Sequence, residues 1–573
     1  MVNEMSDLMR MTGLSGIDTD SMVQALVQTK REKVTNLKND QKKLEWKQTA
    51  WQDLNSKIYN LYSKTLSNLR LTSAYSKKKT VSSDTTKATV VASGAAVDGT
   101  QTLKVNKLAK AGYLTGAKLD KHEKLDENGK KVKVDWTAAD KITDISNDLK
   151  GKKFSITVGT GDDAKTTEIE ITDDMTINDF VGKLSDAGVK ASFDTTNQRF
   201  FISAKGTGAA NNFTITAINP DDPTKPDPNN PTGPKIPKED TDALKALGLA
   251  VGGDYGTLDG SSSADAPKNQ CVKVEGQDAE IVLNGATFVS DSNTFSINGL
   301  TINALGVTDE ELSIVTSTDY DGIYDTIKDF ISEYNDVINE MDKLYNADSA
   351  RKYDMLTDEQ KESMSDDEVE QWENKIKGAL LRKDNNLSTI MNAMTSTMLG
   401  GFYTNNLSDK EKKNMTESEI NAWYEKNGGK KKYLSDFGIS TLSYFEAEDN
   451  EHHAYHIAGD PDDEFTSDKD DELKKAIAED PEGTANFFAS LCKSLYNKMD
   501  EVMNETSEYS SIYKVYNDKQ MKKDYASYTT KIKEAEDELN DYEDKWYKKF
   551  SQMEVTLSKL QSQTSSLTSM LGN

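Results

Sequence analysis

The sequence predicts an α+β multidomain chain: long terminal coiled-coil helices and a helical bundle, with β-rich head domains inserted mid-chain. Three observations carry that class. Each end of the chain bears a heptad stripe of apolar residues, the middle switches from a helical spacing to a period of two, and the length of 573 residues exceeds what one hydrophobic core serves. Lys and Arg number 70 against 97 Asp and Glu, a net charge of −27. That balance excludes nucleic acid and an anionic membrane as main partners. No apolar run is long enough to span a bilayer, so membrane insertion is not expected. The start, MVNEMSDLMRMTGLSGID, lacks the basic and apolar regions of a secretory signal, which by ordinary export logic keeps the protein inside the cell. Cys271 and Cys492 show no metal or redox spacing and are expected to be small buried residues.

In chain order, Asp18 or Asp20 can cap a helix that carries Met22, Val23, Leu26 and Val27. Leu37, Leu44, Trp51 and Ile58 then fall seven apart, with Leu54 and Leu61 as a second row. A third row runs from Val27 and Val34 into Gln41 and Gln48, so the seam is narrow and partly polar. From Thr80 the texture turns to Thr, Val, Ser and Gly, with strands predicted at 88–91 and 102–105. Phe154, Ile156 and Val158 alternate, a turn covers 159–164, and Ile169 and Ile171 alternate again. Thr176 caps a short helix with Ile177, Phe180, Val181 and Leu184, which Gly188 ends. Strands at 189–193, 200–203 and 213–218 complete a small α+β module.

Seven of the ten prolines then fall between Pro220 and Pro237, a stretch that can neither pair in a sheet nor continue a helix. It is expected to be an exposed loop. A helical turn at 243–249 and a Gly- and Ser-rich stretch follow, before strands resume from Val272, with Asn284-Gly285 as a hairpin signal. Ile323, Ile327, Phe330, Tyr334, Val337, Met341 and Leu344 mark an amphipathic helix.

An internal repeat comes next. LTDEQKESMSDDEVEQWENK from Leu356 and LSDKEKKNMTESEINAWYEK from Leu407 align at a fixed offset, sharing Trp372 and Trp423. Each copy reads as two short helices with capping boxes, as at Ser365 with Glu368 and Thr416 with Glu419, anchored by the Trp. Helices are predicted at 380–398, 472–477 and 485–503, and a strand at 439–445. The chain closes on a stripe from Ile532 through Leu539, Tyr542, Trp546, Phe550, Leu557, Leu560 and Leu567 to Leu571. Its steps of three and four are broken by one stutter at Trp546 to Phe550, where the seam is expected to change partners. Such a helix runs roughly 60 Å and cannot bury its own stripe.

Two clusters invite a metal. His452, His453 and His456 lack the acidic partner of a zinc protease and read as the rim of a hairpin. The acidic run from Asp460 to Asp471 has no glycine where a calcium loop must turn, so it reads as a solvated turn. No nucleophile elbow, phosphate loop or dinucleotide fingerprint occurs, so no cofactor and no enzymatic activity are expected.

Three pieces together resemble the flagellar filament-capping proteins, the hook-associated protein 2 (FliD) family. They are the start around MTGLSGIDTDSMVQALVQTKREKV, the stretch GQDAEIVLNGATFVSDSNTFSINGLTINALG with its Asn284-Gly285 and Asn298-Gly299 turns, and the closing stripe. The resemblance implies a homo-oligomeric ring at the filament tip, outside the cell, exported without a cleaved signal peptide. That reverses the location drawn from the signal-less start. It implies as partners further copies of the chain itself, flagellin, the hook–filament junction proteins, the flagellar export apparatus and an export chaperone. A surface adhesin using the head domains is the alternative.

The domain division expected on this basis is an N-terminal leg helix region at 1–40 and a helical stalk at 41–75. An inner β-rich head domain follows from 76–110 and 268–320, with an outer α+β head domain at 111–267 holding the Pro-rich loop. A helical domain spans 321–527 with insertions at 356–378 and 407–427, and a C-terminal coiled-coil leg helix spans 528–573. Candidate residues for coiled-coil self-association or filament contact are Leu37, Leu44, Trp51, Ile58, Leu539, Trp546, Phe550, Leu557, Leu560, Leu567 and Leu571.

Overall fold

The computed structural model describes residues 18–218, 240–251, 254–257, 268–405, 407, 409–427, 431–504 and 508–571. The chain forms two compact units, one from Met1–Ser76 with Tyr320–Asn573 and one from Lys77–Asp319. The proline-rich stretch and most of the Gly- and Ser-rich stretch after it lie outside the described residues.

Helix α1 (Thr19–Asn60) opens at Asp18, whose carboxylate accepts from the Ser21 amide at 3.0 Å. That carboxylate satisfies one orphan amide of the first turn, and its charge suits the positive end of the helix dipole. The helix runs straight into a π-helical turn, Leu61–Leu66, and one last α turn. A π turn fits an extra residue and shifts the phase of the buried face. The buried residues nonetheless keep steps of three and four across it, at Leu54, Ile58, Leu61 or Tyr62, Leu66 and Leu69.

The second unit is antiparallel throughout its multi-stranded sheets. A five-stranded sheet has the order Lys78–Ser82, Leu312–Thr318, Gly99–Lys107, Ala279–Leu283, Ala286–Ser290. With the three-stranded sheet Thr294–Ile297, Leu300–Ala304, Ala88–Ala92 it encloses a core around Leu103, Val105, Ile281, Ile302 and Ile314. Asn284-Gly285 and Asn298-Gly299 both turn with positive φ, at 50° and 81° and at 45° and 80°. Those values suit two-residue hairpins, and Asn and Gly tolerate them best. A second core gathers Phe154, Phe180, Phe200, Ile202 and Phe213. It lies under the sheet Val272–Val274, Tyr113–Thr115, Arg199–Ala204, Val189–Asp194, and the sheet Phe213–Ile218, Lys153–Val158, Lys165–Glu170. Helix α2 (Ile177–Asp186) packs there. Thr176 and Asp179 close a reciprocal capping box at its start, with the Asp179 amide 3.1 Å from the Thr176 hydroxyl. Helix α3 (Thr241–Ala246) adds Ala243 and Leu244 to the same core. The hairpin of His122–Leu125 and Lys131–Val134 has no counterpart in the sequence reading. Its first strand, HEKL, shows no alternation of apolar residues, and the short Lys-Val-Lys-Val run of the second is charge-rich and half exposed.

Returning to the first unit, α4 (Tyr320–Tyr345) buries Ile327, Phe330, Tyr334, Ile338 and Met341 at helical spacing. The two repeats form α5 (Asp358–Glu362) with α6 (Asp366–Gly378), then α8 (Asp409–Lys412) with α9 (Glu417–Lys426), separated by α7 (Asn385–Met398). Capping boxes form at Thr357 with Gln360, Ser365 with Glu368, and Thr416 with Glu419. The anchors differ from expectation. Trp372 and Trp423 are only half-buried, while Ile376 and Tyr424 are the buried residues of their helices. Trp372 spends its indole N–H on the Asp354 carbonyl at 2.8 Å, which holds it near the rim.

The predicted strand at 439–445 shrinks to Ile439–Ser440, paired with His456–Ile457, because Ser443 starts a turn by accepting the amides of Glu446 and Ala447. Helices α10 (Glu472–Glu479) and α11 (Pro481–Asn504) follow, and α11 brings Phe487 and Phe488 against Phe437 at 4.6 and 5.3 Å between ring centres. Truncating Phe487 to Ala costs about 3–5 kcal/mol in such a site. The last helix, α12, spans Asp518–Leu571.

Candidate assembly surface on the paired terminal helices

Helices α1 and α12 lie antiparallel, and their polar pairs fix the register. Gln41 donates to Thr529 at 2.8 Å, and Lys38 meets Glu536 at 2.6 Å. Lys30 and Lys33 share the Glu538 carboxylate at 2.5 and 3.0 Å, and Arg31 meets Glu543 at 2.8 Å. The Tyr547 hydroxyl donates to Asp20. The two lysines hold the Glu538 carboxyl down to about 2. These pairs are exposed or at most partly buried, and each is worth little alone. As a ladder they select one alignment of the two helices.

Between these pairs the seam buries Val23, Val27 and Val34 of α1 and Ala535 of α12. Those four were not among the candidates, although Val27 and Val34 stand seven apart and begin the row that Gln41 continues. Leu37, Leu44, Leu539, Trp546, Phe550 and Leu557 are half-buried. Trp51 and Ile58 are fully buried in the chain's own helical core. Leu560 and Leu567 are 53% and 58% exposed, and Val555 and Met570 are also exposed. For Leu571 only the backbone lies within the described structure. The terminal helices thus pair within one chain. Among the described residues, α12 loses that pairing just where the stutter falls, since Asp20 meets Tyr547 and α1 starts at Thr19.

At the other end of the pair an aromatic junction ties α1 and the π turn after it to α11 and to the segment just before α12. Trp51 stacks on Tyr516 at 5.4 Å, and Tyr62 stacks on Tyr496 at 4.5 Å, with the Arg70 guanidinium 4.1 Å from the Tyr496 ring centre. The Tyr62 hydroxyl donates to Asp500, and burial together with that carboxylate pushes the phenol far above its ordinary range. Asn55, buried, donates to the Tyr513 carbonyl at 3.1 Å and accepts from the Val515 amide at 3.0 Å. It pins the segment that leads into α12.

The histidine and acidic clusters belong to the hairpin of Ile439–Ser440 and His456–Ile457. His456 Nδ1 lies 2.7 Å from the Asp463 carboxylate, and Lys328 reaches Asp460 and Asp462 at 2.6 Å each. A lysine ammonium and an imidazole thus occupy carboxylates that a cation would need. Among the described residues no group of three His, Cys, Asp or Glu side chains could hold a metal ion. No described helix is long and apolar enough to cross a membrane.

The described chain thus combines a register-locked pair of terminal helices, a helical domain and an inserted β-rich unit. The chain belongs to the flagellar hook-associated protein 2 family: its C-terminal family profile matches residues 276–562 and its N-terminal profile residues 15–112. Flagellar hook-associated protein 2 of Halalkalibacterium halodurans is 26% identical over 415 residues, 69% of this chain and 70% of that protein. The Thermotoga maritima protein of the same name is 25% identical over 407 residues, 70% of this chain but only 52% of its own length. Among solved structures, the D1-D2-D3 domains of the Escherichia coli flagellar cap protein FliD align with a TM-score of 0.47 at 17% identity, covering 84% of this chain and 99% of that one. The Serratia marcescens D2-D3 domains align with a TM-score of 0.27 at 20% identity, over 40% of this chain and all of that one. Nothing found supports the adhesin alternative.

Proposed function

We propose that the protein is a flagellar filament cap: a homo-oligomeric ring at the filament tip that promotes folding and polymerisation of exported flagellin and prevents its loss. It makes no covalent change and holds no cofactor. The observation that carries this reading, beside membership of the family, is the apolar stripe of α12 beyond Leu557, which stands exposed at Leu560, Leu567 and Met570. A face with Leu560 and Leu567 more than half exposed is suited to contacts made and released repeatedly. On this reading the chain leaves through the flagellar export apparatus, attended by an export chaperone and without a cleaved signal. It then follows the hook–filament junction proteins to the tip.

The test is deletion of residues 551–573. The helical domain and the β-rich unit keep their melting behaviour, while cells shed monomeric flagellin into the medium and grow no full-length filaments. Filaments of normal length from that strain would rule out the proposed contact.

A further inference from the structure

The β-rich unit has two lobes, a first around the core of Leu103 and Ile281 and a second around Phe180 and Phe200, and the chain crosses between them twice. The crossings lie side by side. The Lys110 amide donates to the Gln277 carbonyl at 2.9 Å, the Gln277 amide donates back to the Lys110 carbonyl at 3.1 Å, and the Gln277 side chain donates to the Leu108 carbonyl at 2.8 Å. Two adjoining stretches of chain make a neck. A neck with nothing else across it acts as a hinge, because a few backbone torsions absorb the motion.

Here a further segment lies across it. Residues 205–212 link the strands Arg199–Ala204 and Phe213–Ile218 of the second lobe, and they bond to the neck and to the first lobe beyond it. At the neck, Asn212 accepts the Gly276 amide at 2.6 Å, and the Gly208 amide donates to the Lys110 carbonyl at 3.1 Å. Past the neck, Asp278 Oδ1 accepts the Ala209 amide at 2.7 Å, and the Thr207 hydroxyl donates to the Asp291 carbonyl at 2.6 Å. The approach is so close that it requires glycine. Gly208 has a φ of 95°, and a Cβ there would lie 2.6 Å from the Asp291 Cβ, while one at Gly276 would lie 2.8 Å from the Gly208 carbonyl oxygen. Gly276, Gln277 and Asp278 open the stretch GQDAEIVLNG, whose hairpin turn is at Asn284-Gly285. They serve the neck and not the hairpin.

We infer that Asp278 and the 207–212 segment form a clasp that holds the two lobes as one rigid body, and that opening the clasp frees the second lobe to swing about Lys110 and Gln277. The paired crossings alone leave that rotation available. Bonds to Asp278 and Asp291, which belong to the first lobe, remove it. The second lobe then follows every movement of the first. This goes beyond the cap reading and does not depend on it.

The test uses the full chain with nitroxide labels at Ser192→Cys in the second lobe and Thr287→Cys in the first, both exposed positions, the native Cys271 and Cys492 being buried. Pulsed electron spin resonance should give one narrow distance distribution for this labelled parent. Adding Asn212→Ala together with Asp278→Ala, or Gly208→Ala alone, should replace it with a broad one. Hydrogen exchange at Ile202 and Ile281 should stay as slow as in the parent, each lobe keeping its own core. A distribution that stays narrow in the variants, or is already broad in the parent, overturns the clasp. Lost protection at Ile202 or Ile281 overturns it too, since the contacts would then hold a lobe together and not join two.

Discussion

Asn55 is the residue on which the junction turns, because its amide serves two backbone groups of the segment before α12 from a buried position on α1. Replacing it with Ala leaves the Tyr513 carbonyl and the Val515 amide without that partner, at a cost of about 1–3 kcal/mol for a group left unsatisfied. Thermal unfolding of Asn55→Ala should report that loss, and an unchanged melting temperature would remove the assigned role. Glu538 gives a pH signature. Its folded carboxyl sits at about 2 against an ordinary 4.5, so it favours the paired helices above pH 4.5, and that contribution is lost as pH falls from there toward 2. Hydrogen exchange at Val27 should quicken over that range, and Glu538→Gln should flatten the response. At this scale the sequence was only partly legible: the capping residues Asp18, Thr176, Ser365 and Thr416 announced themselves by type and spacing. Asn55 did not, because a polar residue in a stripe reads as surface until its partners are known.

Helices were read more faithfully than their faces. The stripes located α1 and α12, and the Val27, Val34 and Gln41 row was read as part of the seam, but the candidate residues were drawn from the Leu37, Leu44, Trp51 and Ile58 row beside it. Val27, Val34 and Gln41 face α12, whereas Trp51 and Ile58 pack in the core. The difference arises because α1 changes partner along its length: Gln41 and the residues before it meet α12, while Trp51 and Ile58 enter the helical core, and composition leaves no mark of that change. The short strand at Ile439–Ser440 fails for the opposite reason. Alternating residues continued past it, but a local Ser443 turn competed with the sheet and won. The repeated helices permit a direct measurement. Thr416→Ala removes one capping box and should cost about 1 kcal/mol, confined to α9. Amide exchange that quickens equally across α4 or α11 would show that the insertion is not a separate local element.

Over the whole molecule, the β-rich unit enters and leaves the chain at one place. Lys78 pairs with Thr318 in adjacent antiparallel strands, and the Asp319 amide donates to the Lys77 carbonyl at 3.0 Å. Residues 77–319 expressed alone should therefore fold, with a cooperative melt of their own, since both of that unit's cores are internal to it. A molten fragment without such a transition would contradict that independence. The same paired strands have a mechanical consequence. Traction applied between residues 77 and 319 loads their ladder from one end, so its hydrogen bonds break in succession rather than all together. A zipper resists far less than a shear joint of equal length, and a segment drawn through a narrow channel by its leading end meets this sheet at its weakest geometry.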